Sequence, residues 1–296
     1  MLSDERPVGV ARTLRAIGAP RSTYYARKSV QEARDVGRPK ARMGRPPTIE
    51  DEALTALIRD VLAHSPFVGE GYRKIHARLR QRAVYVGPTR VLRLMRENNL
   101  LAPVRLGNAH GPKAHDGSIT PENPDEMWGT DMTQTLLTSG VNAAIFAVID
   151  HATAECLSLF AAPRGTRLEA IEALRAAVTF RRGHASQGAA DGVTLRHDHG
   201  SQFIAKLFQS EVRFLGLSSS TSFVREPEGN GCAERFFRTL KENLLWIRAF
   251  DDVESLQASL TEFQMTYNEK WLIGGHGYVS PSEQYRRLVA KAGQAA

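Results

Sequence analysis

The chain has 296 residues, 42% hydrophobic and 24% charged, which leaves room for two domains and argues against wholesale disorder. Its net charge of +7 is unevenly placed: residues 1–124 hold 22 Lys and Arg against 12 Asp and Glu, leaving 17 against 20 in the rest. That asymmetry fits a polyanion-binding part joined to something else, or simply a solvated basic surface. Two cysteines, Cys156 and Cys232, exclude a disulfide framework and a four-thiolate zinc site.

The first 14 residues lack the apolar core of a signal peptide, and no apolar run approaches the ~18–20 residues of a bilayer span. A reducing, cytoplasmic setting and no membrane partner are therefore expected.

Residues 1–48 open with a helical pattern (Val10, Leu14, Ile17) broken at Gly18-Ala19-Pro20. A second short helix from Ser22 carries Tyr24, Tyr25, Arg27 and Lys28. Helix, turn and basic helix are compatible with a helix-turn-helix and equally with an ordinary helical hairpin. The stretch 37–47, with prolines after Arg38 and Arg45, reads as an extended basic linker.

Residues 49–104 predict three short helices. Leu54, Leu57, Ile58 and Val61 recur at helical spacing, as do Tyr72, Ile75, His76 and Leu79. Val91, Leu92, Leu94 and Met95 form the third, with Pro88 in its first turn. Arg73, Lys74, Arg90 and Arg93 on these helices are candidate DNA contacts, with phosphates supplying most of the affinity; a purely structural bundle is the alternative. Residues 105–124 are polar, rich in Gly, Pro and His, and read as a linker.

From residue 125 to about 290 the character changes. Strands are predicted at 127–137, 141–150 and 155–162 as an antiparallel meander. A helix (167–182), a strand (192–198), a helix (203–216), a strand (218–223), a Gly/Pro loop (224–231) and helices at 232–246 and 253–267 complete the series. The expected fold class is α/β: a ribonuclease H-like mixed five-stranded sheet with flanking helices, preceded by a small all-α DNA-binding region.

Three acids stand out in this frame. Asp131 lies in the first strand, Asp198 at the end of the fourth, and Glu234 in the first turn of a helix. Strand ends in such sheets project into a crevice. Converging acids repel unless a dication neutralises them, and hard oxygen ligands suit Mg²⁺ or Mn²⁺. Two ions about 3.5–4 Å apart activate a nucleophile on one side and stabilise the leaving oxygen on the other. Singly, each acid has a plainer reading as a turn, cap or helix-dipole residue. Asp150 rivals Asp131 for the first position, although it runs straight into a turn where Asp has a local role. His197 and His199 flank Asp198, but alternation in a strand argues against a shared metal site.

The segments RHDHGSQF (196–203), GNGCAERFFRTLKEN (229–243) and YNEKWLIGGHGYVSP (267–281) together resemble the DDE transposases of bacterial insertion sequences, specifically the OrfB type of the retroviral-integrase superfamily. The 35 residues between Asp198 and Glu234 match the spacing of that group, and residues 66–100 resemble its helical region before the core.

The resemblance implies that Asp131, Asp198 and Glu234 bind Mg²⁺ (or Mn²⁺) for nicking by water and strand transfer by a DNA 3′-hydroxyl. It also implies a homo-oligomer acting on two DNA ends, and an OrfA partner or frameshift fusion. Trp271-Leu272-Ile273 departs from the Arg-Pro-His of many relatives, so any role of that His is absent here. Independently, Glu234, Arg238 and Lys241 fall at i, i+4 and i+7 on one helix face, which suits phosphate contact. Gln202 and Asn230 match polar family positions and are expected to position DNA, with Gly229 and Gly231 letting that loop flex. The alternatives are a ribonuclease H-like nuclease without strand transfer and a non-catalytic DNA-binding regulator.

Overall fold

The computed structural model describes residues 9–35, 48–103, 121–221 and 231–295. The chain divides into two compact units, residues 1–50 and 51–296. In the first, α1 (Val10–Ala16) and α2 (Arg21–Asp35) are separated by a turn at Gly18, whose φ of +66° suits a residue without Cβ.

In the second unit, α3 (Asp51–Ala63), α4 (Tyr72–Gln81) and α5 (Pro88–Glu97) fall where the apolar spacing predicts them. Leu54, Ile58, Ile75, Leu79, Val91 and Met95 are completely buried along the three helices. The loop between α3 and α4 fastens this bundle to the rest of the unit. Glu70 is buried there and accepts from Arg78 Nε (2.6 Å), Arg78 Nη2 (2.9 Å) and Ser65 Oγ (2.7 Å). Phe67 packs edge-on against Trp271, with centroids 4.8 Å apart.

The sheet has five strands in the order β3-β2-β1-β4-β5. These are β1 (Met127–Leu136), β2 (Asn142–Asp150), β3 (Cys156–Ala162), β4 (Thr194–His197) and β5 (Ser218–Thr221). The first three pair antiparallel, whereas β4 runs parallel to both β1 and β5. This is the mixed sheet that the sequence order predicts.

Helices cover both faces, so the buried strands read as nearly continuous apolar runs. On one face, α6 (Arg167–Arg182), α7 (Ser201–Ile204) and α8 (Lys206–Phe214) pack on Trp128, Phe146, Val148 and Leu195. On the other, α9 (Gly231–Leu240) and α10 (Val253–Lys270) pack on Ile145, Ala147, Ile149 and Leu159. Capping sets the helix ends: Thr166 and Glu169 form a capping box on α6, and Asp252 and Ser255 one on α10.

Three details differ from the periodicity reading. The helix expected over 203–216 breaks at Ala205, whose ψ of 135° is extended, so that Phe203 and Phe208 both reach the core. The helix expected over 232–246 is α-helical only to Leu240 and continues as a π turn over Lys241–Leu245. A further helix, α11 (Pro281–Ala295), lies beyond the predicted elements. Its Tyr285 sits on the guanidinium of Arg181, 4.0 Å from the ring centroid, while Arg181 pairs with Glu155 at 2.7 Å and Asp125 at 3.0 Å. Among the described residues no helix is long and apolar enough to cross a membrane.

Candidate active site

Strand alternation decides which acids can meet. In β1, Trp128 packs in the cluster under α6, and Met132 packs against that cluster too. Their odd-numbered neighbours therefore face α9, and Asp131 is among them. In β4, Leu195 joins the same α6-side cluster, and His197 lies edge-on to Phe208. Asp198, one residue past β4, therefore falls on the α9 side as well. The parallel register pairs Gly129 with Arg196; continued two residues, it sets Asp131 beside Asp198, at roughly the ~4.8 Å spacing of neighbouring strands. Glu234 enters from above, exposed in the first turn of α9.

The electrostatics agree. Burial pushes the Asp131 carboxyl up to about 6, and the nearby charges of Asp198 and Glu234 push the same way. The Met132 amide, donating to Asp131 Oδ1 at 2.7 Å, and the charge of Lys241 pull it back down. Asp131, Asp198, Glu234 and Lys241 thus share one field at the end of the sheet. Among the described residues, however, no three His, Cys, Asp or Glu side chains stand close enough to form a ligand shell as placed. Asp198 and Glu234 are both exposed. The donor set, hard carboxylate oxygens with a like-charge penalty to relieve, fits Mg²⁺ or Mn²⁺.

Asp150 has another occupation. It is completely buried and accepts from Asp125 N (2.8 Å), Thr153 N (2.8 Å) and Thr153 Oγ1 (2.7 Å). Burial raises its carboxyl above the ordinary range while these hydrogen bonds and Arg181 oppose the rise. Its oxygens hold the β2–β3 turn and the entry to β1. His197 is also fully buried, with Nδ1 against the Asp198 carbonyl at 2.7 Å and Nε2 against Ser219 Oγ at 2.8 Å. Burial holds the His197 imidazole below its ordinary value, and the charge of the exposed His199 adds to that lowering.

Gly200 is a site residue that sequence reasoning passed over. A Cβ there would lie 2.5 Å from Gln202 Nε2 and 2.9 Å from Asp198 Oδ1. Its amide donates to Asp198 Oδ1 at 2.8 Å. Only glycine lets the carboxylate and the Gln202 amide fold over the backbone together. The available signal was the glycine two residues after the acid in RHDHGSQF.

The predicted DNA contacts are dispersed. Arg238 is exposed and pairs with Glu242 at 3.0 Å. Lys241 lies at the start of the π turn, within the field of Asp131. Asn230 and Gly229 lie outside the described residues, and Gly231 begins α9. In the helical bundle, Arg73 is exposed beside the Tyr72 ring, whereas the Lys74 ammonium lies over the Trp271 ring, 2.8 Å from its centroid. Asp51 holds both Arg90 and Arg93 at 2.6 Å, and Arg93 also reaches Glu97 at 2.9 Å.

Residues 49–106 match an HTH-like domain, and residues 215–281 match an integrase core domain. The chain is 27% identical over 243 residues to a transposase InsD for insertion element IS2 of Escherichia coli, covering 80% of each chain. Among solved structures it is similar to the HTLV-2 integrase catalytic core domain in complex with magnesium, with 17% identity, TM-score 0.42, and coverage of 55% of this chain and 97% of the other. It is also similar to a chain of a simian T-cell lymphotropic virus intasome, with 17% identity, TM-score 0.45, and coverage of 73% and 74%.

Proposed function

Since the chain belongs to the insertion-sequence DDE transposases of the integrase superfamily, we propose that Asp131, Asp198 and Glu234 bind the divalent metal with which it cuts and joins DNA. The observation that carries this assignment is the placement of Asp131 and Asp198 on one sheet face beneath Glu234, in a single field with Lys241. Bound there as Mg²⁺ or Mn²⁺, in one or two ions, the metal supplies Lewis-acid activation of a water or a DNA 3′-hydroxyl and stabilises the leaving oxygen.

The protein's own groups do the positioning. Met132 N and Gly200 N fix one oxygen each of Asp131 and Asp198, leaving the second oxygen of each for the ion. Lys241 and Arg238 lie below Glu234 on the same helix face and hold the phosphates on either side of the reacting bond. Arg238 exchanges Glu242 for a phosphate in doing so. Gln202 orients the sugar-phosphate backbone beside Asp198, and Asn230 acts from the preceding loop.

The helical region 49–104 contributes non-specific phosphate contact through Arg73, Arg90 and Arg93, and Lys74 through the surface that it shares with Trp271. Two DNA ends must be handled together, so the working form is a homo-oligomer acting on the bacterial nucleoid, with an OrfA chain supplied in trans or by frameshift fusion. Incubation of the chain with precleaved element-end DNA, target DNA and Mg²⁺ tests the reading. Joined products are expected; hydrolysis alone would assign a nuclease, and binding without reaction a regulator.

A further inference from the structure

We infer that Trp246 is a DNA-positioning residue that stacks on an unpaired base several nucleotides from the cleaved bond. The inference rests on the proposed DNA-cutting role of the acids, and begins from the π turn. In an uninterrupted α-helix, residues 245 and 246 would lie ~20° and ~120° around the axis from residue 234. A π turn inserts one residue, which moves both back by about 100°. Leu245 then falls on the core side, where it is buried, and Trp246 comes to ~20° from Glu234. The bond from Trp246 N to Lys241 O, 2.9 Å across five residues, is the direct mark of that shift.

Trp246 is 70% exposed, against complete burial of Trp128. Glu234, Arg238, Lys241 and Trp246 therefore form one stripe, an acid, two cations and an aromatic ring, along a single side of the catalytic helix. The exposed indole adds nothing to the core. In line with two cations that hold a backbone, it has the form of a stacking platform, since every base offers a π face. From Glu234 to Trp246 the helix rises about 17 Å, or roughly five nucleotide steps of ~3.4 Å. Inside a duplex both faces of a base are taken by its neighbours, so the indole can accept only a base that has left the stack.

The test uses the full chain and element-end duplexes carrying one unpaired position, moved step by step from the cleaved bond, without divalent metal so that no cutting occurs. Affinity is measured together with iodide quenching of tryptophan emission. Wild type and Trp246→Phe should prefer a duplex unpaired roughly five nucleotides from the bond, with iodide access lost on binding in the wild type. Trp246→Ala should lose about tenfold or more in affinity for that duplex and change little on the fully paired one. Equal losses on all duplexes, no loss, or a shift from oligomer to monomer with DNA affinity unchanged would overturn the inference; the last would assign Trp246 to a protein interface. Glu234→Gln, which keeps the indole, separates the two readings: it should retain the unpaired-base preference while losing cleavage when Mg²⁺ is restored. Cleavage by that variant would remove the acid assignment and leave the stacking result standing.

Discussion

The backbone amide of Val68 donates to Asn243 Oδ1 at 2.8 Å, joining the loop after α3 to the π turn that follows α9. The same side chain donates from Nδ2 to Thr239 O at 2.9 Å. One buried amide thus ties the HTH-like bundle to the helix that bears Glu234 and Lys241. Asn243→Ala should lower stability by about 1–3 kcal/mol, the cost of leaving such groups unsatisfied. Hydrogen exchange of residues 64–70 should accelerate more than that of β2. Unchanged exchange in the loop would show that the bundle is held by other contacts.

Asp131 allows a pH prediction. Its carboxyl is raised from 3.8 to about 6, chiefly by burial. An upward shift means that folding favours the protonated form, so the associated stability is complete below pH 3.8 and is lost as pH rises through 6. In metal-free protein, Asp131→Asn should therefore raise stability above that range by up to about 3 kcal/mol, with the gain shrinking toward acid. Mg²⁺ must displace the same proton, so its affinity for the wild type should fall on acidification through pH 6, by up to about tenfold per unit. Thermal unfolding and calorimetric titration at several pH values measure both; a pH-independent effect would contradict the raised Asp131 carboxyl.

Asp150→Asn separates the two rivals for the first acid. Either way round, the amide turns its NH2 toward one set of present donors, the Asp125 amide or the Thr153 amide and hydroxyl, and the change removes the charge facing Arg181. A loss of about 2–4 kcal/mol is expected, with DNA binding and catalysis declining together as the protein unfolds. A stable Asp150→Asn protein that binds DNA and does not cut it would return Asp150 to the catalytic set.

Gly200→Ala probes how Asp198 is held. The added Cβ meets Gln202 and Asp198 at less than 3 Å, and both side chains can swing outward because the turn lies at the surface. Melting should change by only a few degrees, while metal-dependent cleavage falls by at least about tenfold, as misplacement near a reacting centre does. Unaltered cleavage would mean that the Asp198–Gln202 arrangement is not used.

Much of this architecture was legible because its signals are local. Apolar alternation and helical spacing located the strands and α3 to α6, and the 35-residue interval with its motifs singled out Asp198 and Glu234. Strand order, read with Asp150 in its turn, pointed to Asp131, and both oxygens of Asp150 are taken up by local donors. What was not legible depends on distant partners. Leu240 and Leu244 share an apolar stripe in an unbroken α-helix as well, and Leu245 alone departs from it, so little that is local announced the π turn that Asn243 and Val68 accompany. The packing of Lys74 on Trp271, the hold of Asp51 on Arg90 and Arg93, and the contact of Tyr285 with Arg181 join segments far apart in sequence. Charge on a helix therefore did not reveal which cations already had partners.

The three-carboxylate site is tested most directly by Asp198→Asn and Glu234→Gln in a Mg²⁺-dependent cleavage assay on element-end DNA, with DNA affinity measured beside it. Both changes preserve shape and remove a charged ligand. Each variant should bind DNA within about twofold of wild type and cut it at least roughly a hundredfold more slowly; cleavage at the wild-type rate by either one would contradict the site.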